Sequence, residues 1–374
     1  GRRKCGHKSS QWSIGDQLLI HGPKFKKSIL RTFIDSKLNL TDRKSILTII
    51  DGFRNGKGDN KYVNIDFTAT ISDCTIINKQ LLINNHILDL TKISTVIFNY
   101  NEDLMTFNNK WNQKLINRFN RVGEMIDLFK KISRLIKRGY PDIIIYQDPD
   151  KCFELGDKVL VYDRIKNIKD DLVTIPKYKK ILNVNDVSSI NFFPVIIKIT
   201  NGSHSKYDQV CKNKGELVRA YNQHFKNKKN VFVVEFIDSY IKEINCKHSL
   251  RLMVTNNRVM EYYFRVGGDW NIHTKSQIKK DIKHTDLYYS KIYDQHKMSL
   301  EKYLNKIHKI YGNGFYAYDL IYSIQKKKYY VCEIGLKIFD NTNYDYSKDY
   351  IDKLSFNENR LVKYYQDLLV IKDK

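Results

Sequence analysis

The chain predicts an α/β fold, and three observations carry that expectation. Apolar residues recur at helical spacing over 122–136; a short run of apolar β-formers follows at once; and from about residue 190 long strand-like runs alternate with helices to the end. Both periods are needed for a layered core, since a strand hides alternate residues and a helix hides one stripe. With 374 residues, 42% hydrophobic and 13% aromatic, the chain is long enough for two or three such cores.

Taken in order, "QLLI" at 17–20 is strand-like, "SILTII" at 45–50 is a strand ending at Asp51-Gly52, and "NIDFTATI" at 64–71 is another. Residues 21–45 match no motif and read as a basic amphipathic helix on the surface. In "KQLLINNHILDLTKISTVIFNY" two strands flank an Asn84-Asn85 turn, and a third runs over 95–100. A helix is expected from Lys114 to Arg138, with Val122, Met125, Ile126, Phe129, Ile132 and Ile136 on one face and Gly139-Tyr140-Pro141 as its stop. "DIIIY" at 142–146 is then a buried strand. The stretch 148–168 reads as a turn and a helix with Lys158 near its start, and Pro176 marks a break. Further strands fall at 192–199, 230–237, 249–254, 258–265, 315–323 and 329–334, the last two forming a hairpin across "IQKKK". No internal repeat is visible. A boundary near 140–150 divides an N-terminal α/β domain, 1–140, from a second domain, 141–374, itself divided at about 238 into parts 150–238 and 239–374.

The formal charge of +24 points to an acidic partner such as a nucleotide, polyphosphate, acidic protein tail or nucleic acid. The plainer alternative is composition: the chain is rich in Lys, Asn, Ile and Tyr, and its lysines ("KYKK" 177–180, "KNKK" 226–229, "KKK" 326–328) are spread thinly rather than gathered into one stripe. Nucleic acid binding is therefore open but not required. The six cysteines are scattered without a C-x-x-C pair, which argues against a disulfide framework or structural zinc and for a reducing, intracellular compartment such as the cytoplasm. Cys5-Gly6-His7 has the look of half a metal site, but no second half accompanies it. No apolar run is long enough to span a membrane, and the start lacks the apolar centre of a signal peptide. The missing initiator methionine leaves a removed targeting segment open.

Four features could carry chemistry. "FFPVIIKI" ends a buried-looking strand in Lys198, and a buried ammonium is costly unless an anion meets it. The loop that follows holds Gly202, Ser203, His204 and Ser205, though it is no Walker A motif. "VFVVEFIDSY" at 231–240 ends a strand in an acidic, aromatic segment; "LRLMVTNNRVMEYYFRVGGDWNIHT" at 250–274 is a hairpin bearing Arg251 and Arg265. In "FYAYDLIYSIQKKKYYVCEIG" Asp319 and Glu333 each interrupt an apolar strand. Taken singly, a strand-end lysine or a hairpin arginine is most often a solvated surface group. Two inward carboxylates on adjacent strands are more telling, because they repel unless a cation or basic group lies between them. Oxygen ligands of this kind suit magnesium, which usually shares its shell with substrate phosphates.

The order of these features resembles the ATP-grasp superfamily, and is most similar to synapsin and the RimK-like ligases, over about Asp142 to Asn343. "FPVIIKI" is close to that family's lysine strand; His204-Ser205 with Val210 resembles the synapsin form of its phosphate loop; "EFIDSY" resembles the adenine hinge; Leu250-Arg251 and "YYFRVGGDWNIHT" resemble the arginine strands; and "LGDKVLVYDRI" supplies the earlier Asp-Lys pair. The resemblance implies two α/β subdomains clasping a nucleotide, preceded by an N-terminal α/β domain. It implies that Lys158 and Lys198 reach the ATP phosphates, with Ser203, His204 and Ser205 covering them. Backbone groups near Val234 and Phe236 would meet adenine, with Glu235 beside its amino group and Asp238 toward the ribose. Asp319 and Glu333 would hold Mg2+, and Arg265 with Arg251 would face the acyl phosphate or substrate.

This sequence departs from the family in three places. Gly335 stands where a metal-binding Asn is frequent; Lys206, Tyr207 and Asp208 stand where the phosphate loop tends to have glycine; and His273 takes the place of a frequent Asn after the Trp. Three functions follow from different classes. The first is an ATP- and Mg-dependent ligase joining a carboxylate to an amine through an acyl phosphate, with an anionic or carboxylate-bearing substrate. The second is a non-catalytic ATP-grasp scaffold in an assembly, perhaps an RNA-containing one. The third is an inositol polyphosphate kinase, which suits "GSHS" and the charge but lacks an Asn-Arg-Gln-type run near "GDKVLVYDRI". Phosphate release with an amine acceptor, ATP consumption only with inositol phosphates, or neither, separates them. Oligomeric state does not follow from the sequence.

Overall fold

The computed structural model describes residues 45–50, 67–100, 122–200, 208–228, 230–255, 258–268 and 292–336. The expected strand at 17–20, the basic segment 21–45 up to residue 44, the loop residues Gly202, Ser203, His204 and Ser205, and Trp270 to Thr274 lie outside the described residues. The chain divides into two compact units, one made of 1–101, 108–150 and 358–374, the other of 102–107 and 151–357.

In the first unit, β1 (Ser45–Ile50) and β2 (Phe67–Thr70) are parallel neighbours, as the β-branched runs predict. A small antiparallel sheet follows from β3 (Cys74–Ile77), β4 (Gln80–Ile83) and β5 (His86–Ile87). Asn84 and Asn85 both take positive φ between β4 and β5, which is the two-residue turn that matches strand twist. Then β6 (Ile93–Asn99) returns beside β1, and β7 (Ile144–Tyr146) completes a parallel sheet in the order β2-β1-β6-β7. The crossover from β6 to β7 contains α1 (Val122–Gly139), whose Met125, Ile126, Phe129, Ile132 and Ile136 are buried. Phe129 stacks edge-on against Phe98 at 6.1 Å and tilted against Tyr100 at 5.4 Å. The strand at 142–146 is shorter than expected and only half-buried at Ile144 and Ile145, because β7 lies at the sheet's edge.

After α2 (Pro149–Cys152), the second unit opens with α3 (Lys158–Ile165). It contains two sheets, the first antiparallel and the second antiparallel except for the parallel pairing of Tyr329 and Tyr330 with Val173 and Thr174. The first has β9 (Tyr178–Ile181), β10 (Val195–Ile199), β11 (Gln209–Cys211) and β12 (Val231–Glu235) in the order β11-β10-β12-β9; β8 (Val173–Thr174) leaves for the other layer. Two short helices, α4 (Val184–Ser188) and α5 (Lys214–Ala220), cover one face of this sheet, packing Val187, Leu217 and Ala220 on Val195, Ile197, Val231 and Val233. The expected strand at 192–199 begins only at Val195, since Pro194 has no N–H to give to a ladder. The second layer runs β13 (Tyr240–Ile241), β14 (Cys246–Thr255), β16 (Phe315–Ser323), β17 (Lys328–Leu336) and β8, with β15 (Arg258–Gly267) also paired to β14. The chain passes from one layer to the other between β12 and β13. Helix α6 (Lys297–Tyr311) buries Leu300, Tyr303, Leu304, Ile307 and Tyr311. Cys211 and Cys332 are free thiols, and among the described residues no helix is long and apolar enough to cross a membrane.

Candidate functional site

Alternation along β10 decides where its lysine goes. Val195 and Ile197 belong to the core under α4 and α5, so Ile196 and Lys198 face the opposite side of the sheet. On that side Val159, Tyr162, Phe232 and Val234 form a second buried cluster, with Ile175, Tyr178 and Ile196 partly exposed around it. Lys198 pairs in register with Phe232. Lys158, the first residue of α3, is brought to the same place by one carboxylate. Asp157 caps the helix, accepting from Val159 N at 2.9 Å and Leu160 N at 3.3 Å through Oδ1, while its Oδ2 accepts from Thr200 Oγ1 at 3.2 Å. Lys158 N in turn donates to Thr200 O at 3.2 Å. The start of α3 and the exit of β10 are thus one junction, and both lysines leave from it.

The second layer answers with a row of charges. Arg251, Asp319 and Glu333 lie opposite one another across β14, β16 and β17. The Arg251 guanidinium forks onto Asp319, Nε to Oδ1 at 2.7 Å and Nη2 to Oδ2 at 2.8 Å. A basic group therefore sits on Asp319 in the bidentate geometry that strengthens such bonds. Lys158 Nζ is 3.7 Å from Glu333 Oε1, which joins the two layers. Between the two carboxylates and their strand neighbours the ladder shifts register, and Cys332 is the extra residue. Burial pushes the Cys332 thiol up to about 12, against the pull of the Lys198 ammonium; the Asp319 and Glu333 carboxylates add to the rise. Tyr162 Oη donates to Cys332 O at 2.7 Å, pinning α3 to β17, and burial raises its phenol well above the usual value.

The other expected residues are placed as follows. Lys198 Nζ is 3.0 Å from Asp208 Oδ2, so the anion that meets this ammonium comes from the protein itself. The Glu235 carboxylate, expected beside a purine amino group, accepts from Lys326 Nζ at 2.6 Å and Lys177 N at 3.2 Å. Phe236 N donates to Pro194 O at 3.0 Å, and Lys247 Nζ lies 5.0 Å over the Phe236 ring. Asp238 Oδ1 accepts from Tyr240 N at 3.1 Å in a local turn. Arg265 is opposite Ser249 in β15. Sequence reasoning noted Asp157 only as the Asp of the Asp-Lys pair, without its capping role, and missed Thr200, Tyr162 and Lys326 as positioning groups. Of these only Asp157 had a local signal, an Asp before an apolar helical run.

The arrangement offers two ammonium groups for an anion, two opposed carboxylates for a hard cation, and a partly exposed apolar ledge (Ile175, Tyr178, Ile196) beside them. Among the described residues no group of three or more His, Cys, Asp or Glu gathers as for a metal. Asp319 and Glu333 face one another as oxygen donors, but both Asp319 oxygens accept from the Arg251 guanidinium and Glu333 Oε1 lies 3.7 Å from Lys158 Nζ.

Two sheets of the second unit thus meet at this row of charges, joined by Lys158 with Glu333 and by Tyr162 with Cys332. No family model and no curated protein matches the chain. Solved structures do. The chain is similar to the ATP-grasp ligase PsnB complexed with a phosphomimetic variant of a minimal precursor, Mg and ADP (TM-score 0.52, 10% identity, 88% of this chain and 98% of that one). It is also similar to PsnB complexed with a precursor peptide and AMPPNP (TM-score 0.51, 10% identity, 87% and 97%). A RimK domain ATP-grasp protein from Sphaerobacter thermophilus is matched with a TM-score of 0.48, at 9% identity over 88% of this chain and 100% of that one. This chain has the ATP-grasp fold, as its motifs led us to expect.

Proposed function

We propose that the chain binds ATP between the two layers of its second unit and uses it, with Mg2+, to join a carboxylate to an amine through an acyl phosphate. The observation that carries the reading is the contact of Lys158 with Glu333, which lies opposite Asp319, beside the strand that bears Lys198, inside an ATP-grasp fold. Lys158 and Lys198 meet the phosphates; Ile196, Tyr178 and Ile175 pack the base; Arg251, with Arg265, faces the anionic substrate. Asp319 and Glu333 would hold Mg2+, which when bound neutralises the phosphates and aligns them. The substrate carboxylate attacks the γ-phosphorus, ADP leaves, and the amine then displaces phosphate; the protein's work is positioning and charge neutralisation. The PsnB complex with Mg and ADP supports the nucleotide and the ion. An amino acid or peptide acceptor, the nearer kinship with synapsin and the RimK-like ligases, and an ATP-grasp domain over 141–374 behind an N-terminal domain rest on the resemblance of the motifs. Calorimetry of MgATP on the native chain and on Lys198→Ala tests the site: micromolar binding lost in the variant supports it, and no binding to the native chain removes it.

One observation favours a second reading, a non-catalytic ATP-grasp scaffold. Each of the three cations has a carboxylate of its own, Lys198 with Asp208, Lys158 with Glu333 and Arg251 with Asp319. With Gly335 in place of a frequent metal ligand, such a site can stand without nucleotide. Binding of ATP without phosphate release, over a panel of amino acids and peptides, would select this reading over the ligase.

A further inference from the structure

We propose that Asp208 is a built-in stand-in for phosphate, a residue that nucleotide must displace from Lys198 and that therefore sets the affinity of the site. The inference rests on the nucleotide reading above and adds a competitor to it.

The position of Asp208 is dictated by the β10–β11 ladder. Val195 faces Cys211, Ile196 faces Val210 and Ile197 faces Gln209, so the next rung brings Asp208 opposite Lys198. A cross-strand pair of opposite charge is favourable wherever it occurs. This one lies on the face of the sheet that carries Ile196, Phe232 and Val234, with the Lys198 ammonium within electrostatic reach of Cys332. It is also sheltered: 21% of the lysine side chain and 10% of the aspartate side chain remain exposed. An ion pair so protected from water keeps much of its strength, unlike the exposed pair of Lys166 with Asp163, each about half exposed. The aspartate also stands at a position where the resemblance leads one to expect glycine, the residue that lets backbone amides approach a phosphate.

Two consequences follow. An incoming phosphate gains Lys198 only by releasing Asp208, so the pair subtracts from nucleotide affinity. A released Asp208 carboxylate then lies near a polyanion, adding repulsion. Neutralising it removes both costs. The pair also explains how a sheltered ammonium is tolerated in the absence of ligand.

The test is a cycle of four full-length proteins, native, Asp208→Asn, Lys198→Ala and the double variant, titrated with MgATP and with MgADP by calorimetry. Circular dichroism and thermal melting of each establish folding. Asp208→Asn is expected to tighten binding about tenfold or more, the scale of one charge-assisted hydrogen bond. That gain should vanish when Lys198 is already alanine. Native binding with an unchanged or weakened Asp208→Asn protein overturns the competitor while leaving the nucleotide site intact. A gain that persists in the double variant also overturns it, since the effect would then be general charge removal. Failure of all four proteins to bind either nucleotide overturns the nucleotide reading and this inference with it.

Discussion

At the scale of the residue, the charged groups of this chain behave according to what faces them. The Arg251 guanidinium and the Asp319 carboxylate are respectively 16% and 20% exposed, and their fork uses both oxygens. Removing one partner strands the other, so Arg251→Met is expected to cost about 2 kcal/mol in urea denaturation, a partly buried version of the larger penalty for a fully buried pair. Adding Asp319→Leu should recover most of that loss. Equal costs for the single and double variants would show that packing, not charge, dominates there. His248 makes the opposite case. Its ring is fully buried, and desolvation drives the imidazole down to about 4 while Nδ1, 2.6 Å from Ser239 O, favours the proton only weakly. The folded chain therefore holds it neutral, whereas the unfolded chain protonates it at the ordinary 6.5. Because the folded value is depressed, its stability contribution is complete above 6.5 and is lost as pH falls toward 4, on the order of 3 kcal/mol over that window. His248→Asn, which keeps a donor for Ser239 O, should flatten the slope of unfolding free energy between those two values.

At the scale of the element, the site depends on one helix start. Asp157 caps α3 and holds Thr200 at the end of β10. Asp157→Ala should therefore cost about 1 kcal/mol, the usual loss for a cap, and should also weaken nucleotide binding by freeing Lys158 from its junction. Asp157→Asn restores the cap and separates the two effects, read by urea denaturation and by calorimetry on the same proteins. This element also shows what the sequence discloses. Long β-branched strands, the Asn84-Asn85 turn and the stripe on α1 are legible because each is a local pattern repeated several times. Lys198, Asp319 and Glu333 are legible as charges that break apolar strands. The short strands β8, β9 and β11 are not, since two to four residues carry no measurable period and exist only through their partners. Asp208 could be read as a lost glycine but not as the partner of Lys198, because that pairing depends on ladder register across the nine residues, 199 to 207, that separate the two in sequence. The Lys326–Glu235 pair, 91 residues apart, is likewise a product of the packing of the layers and of nothing local.

At the scale of the molecule, local pairing and net charge pull in different directions, and distance decides between them. The site's cations lie 2.7 to 3.7 Å from their carboxylates, yet the whole chain carries an excess of 24 positive charges. Salt at about 0.01 M screens over roughly 30 Å and at about 0.1 M over roughly 10 Å. The added screening therefore weakens repulsion among widely spaced lysines while leaving pairs at contact nearly untouched. We expect the melting temperature to rise when sodium chloride is raised between those concentrations. Chloride is the right anion for the comparison, because on the proposed nucleotide site phosphate also stabilises by binding at Lys158 and Lys198, an effect of mass action rather than screening. The difference separates the two contributions: at matched ionic strength, phosphate should raise the melting temperature beyond chloride in the native chain and not in Lys198→Ala. A fall in melting temperature with sodium chloride would mean that the contact pairs outweigh the diffuse charge.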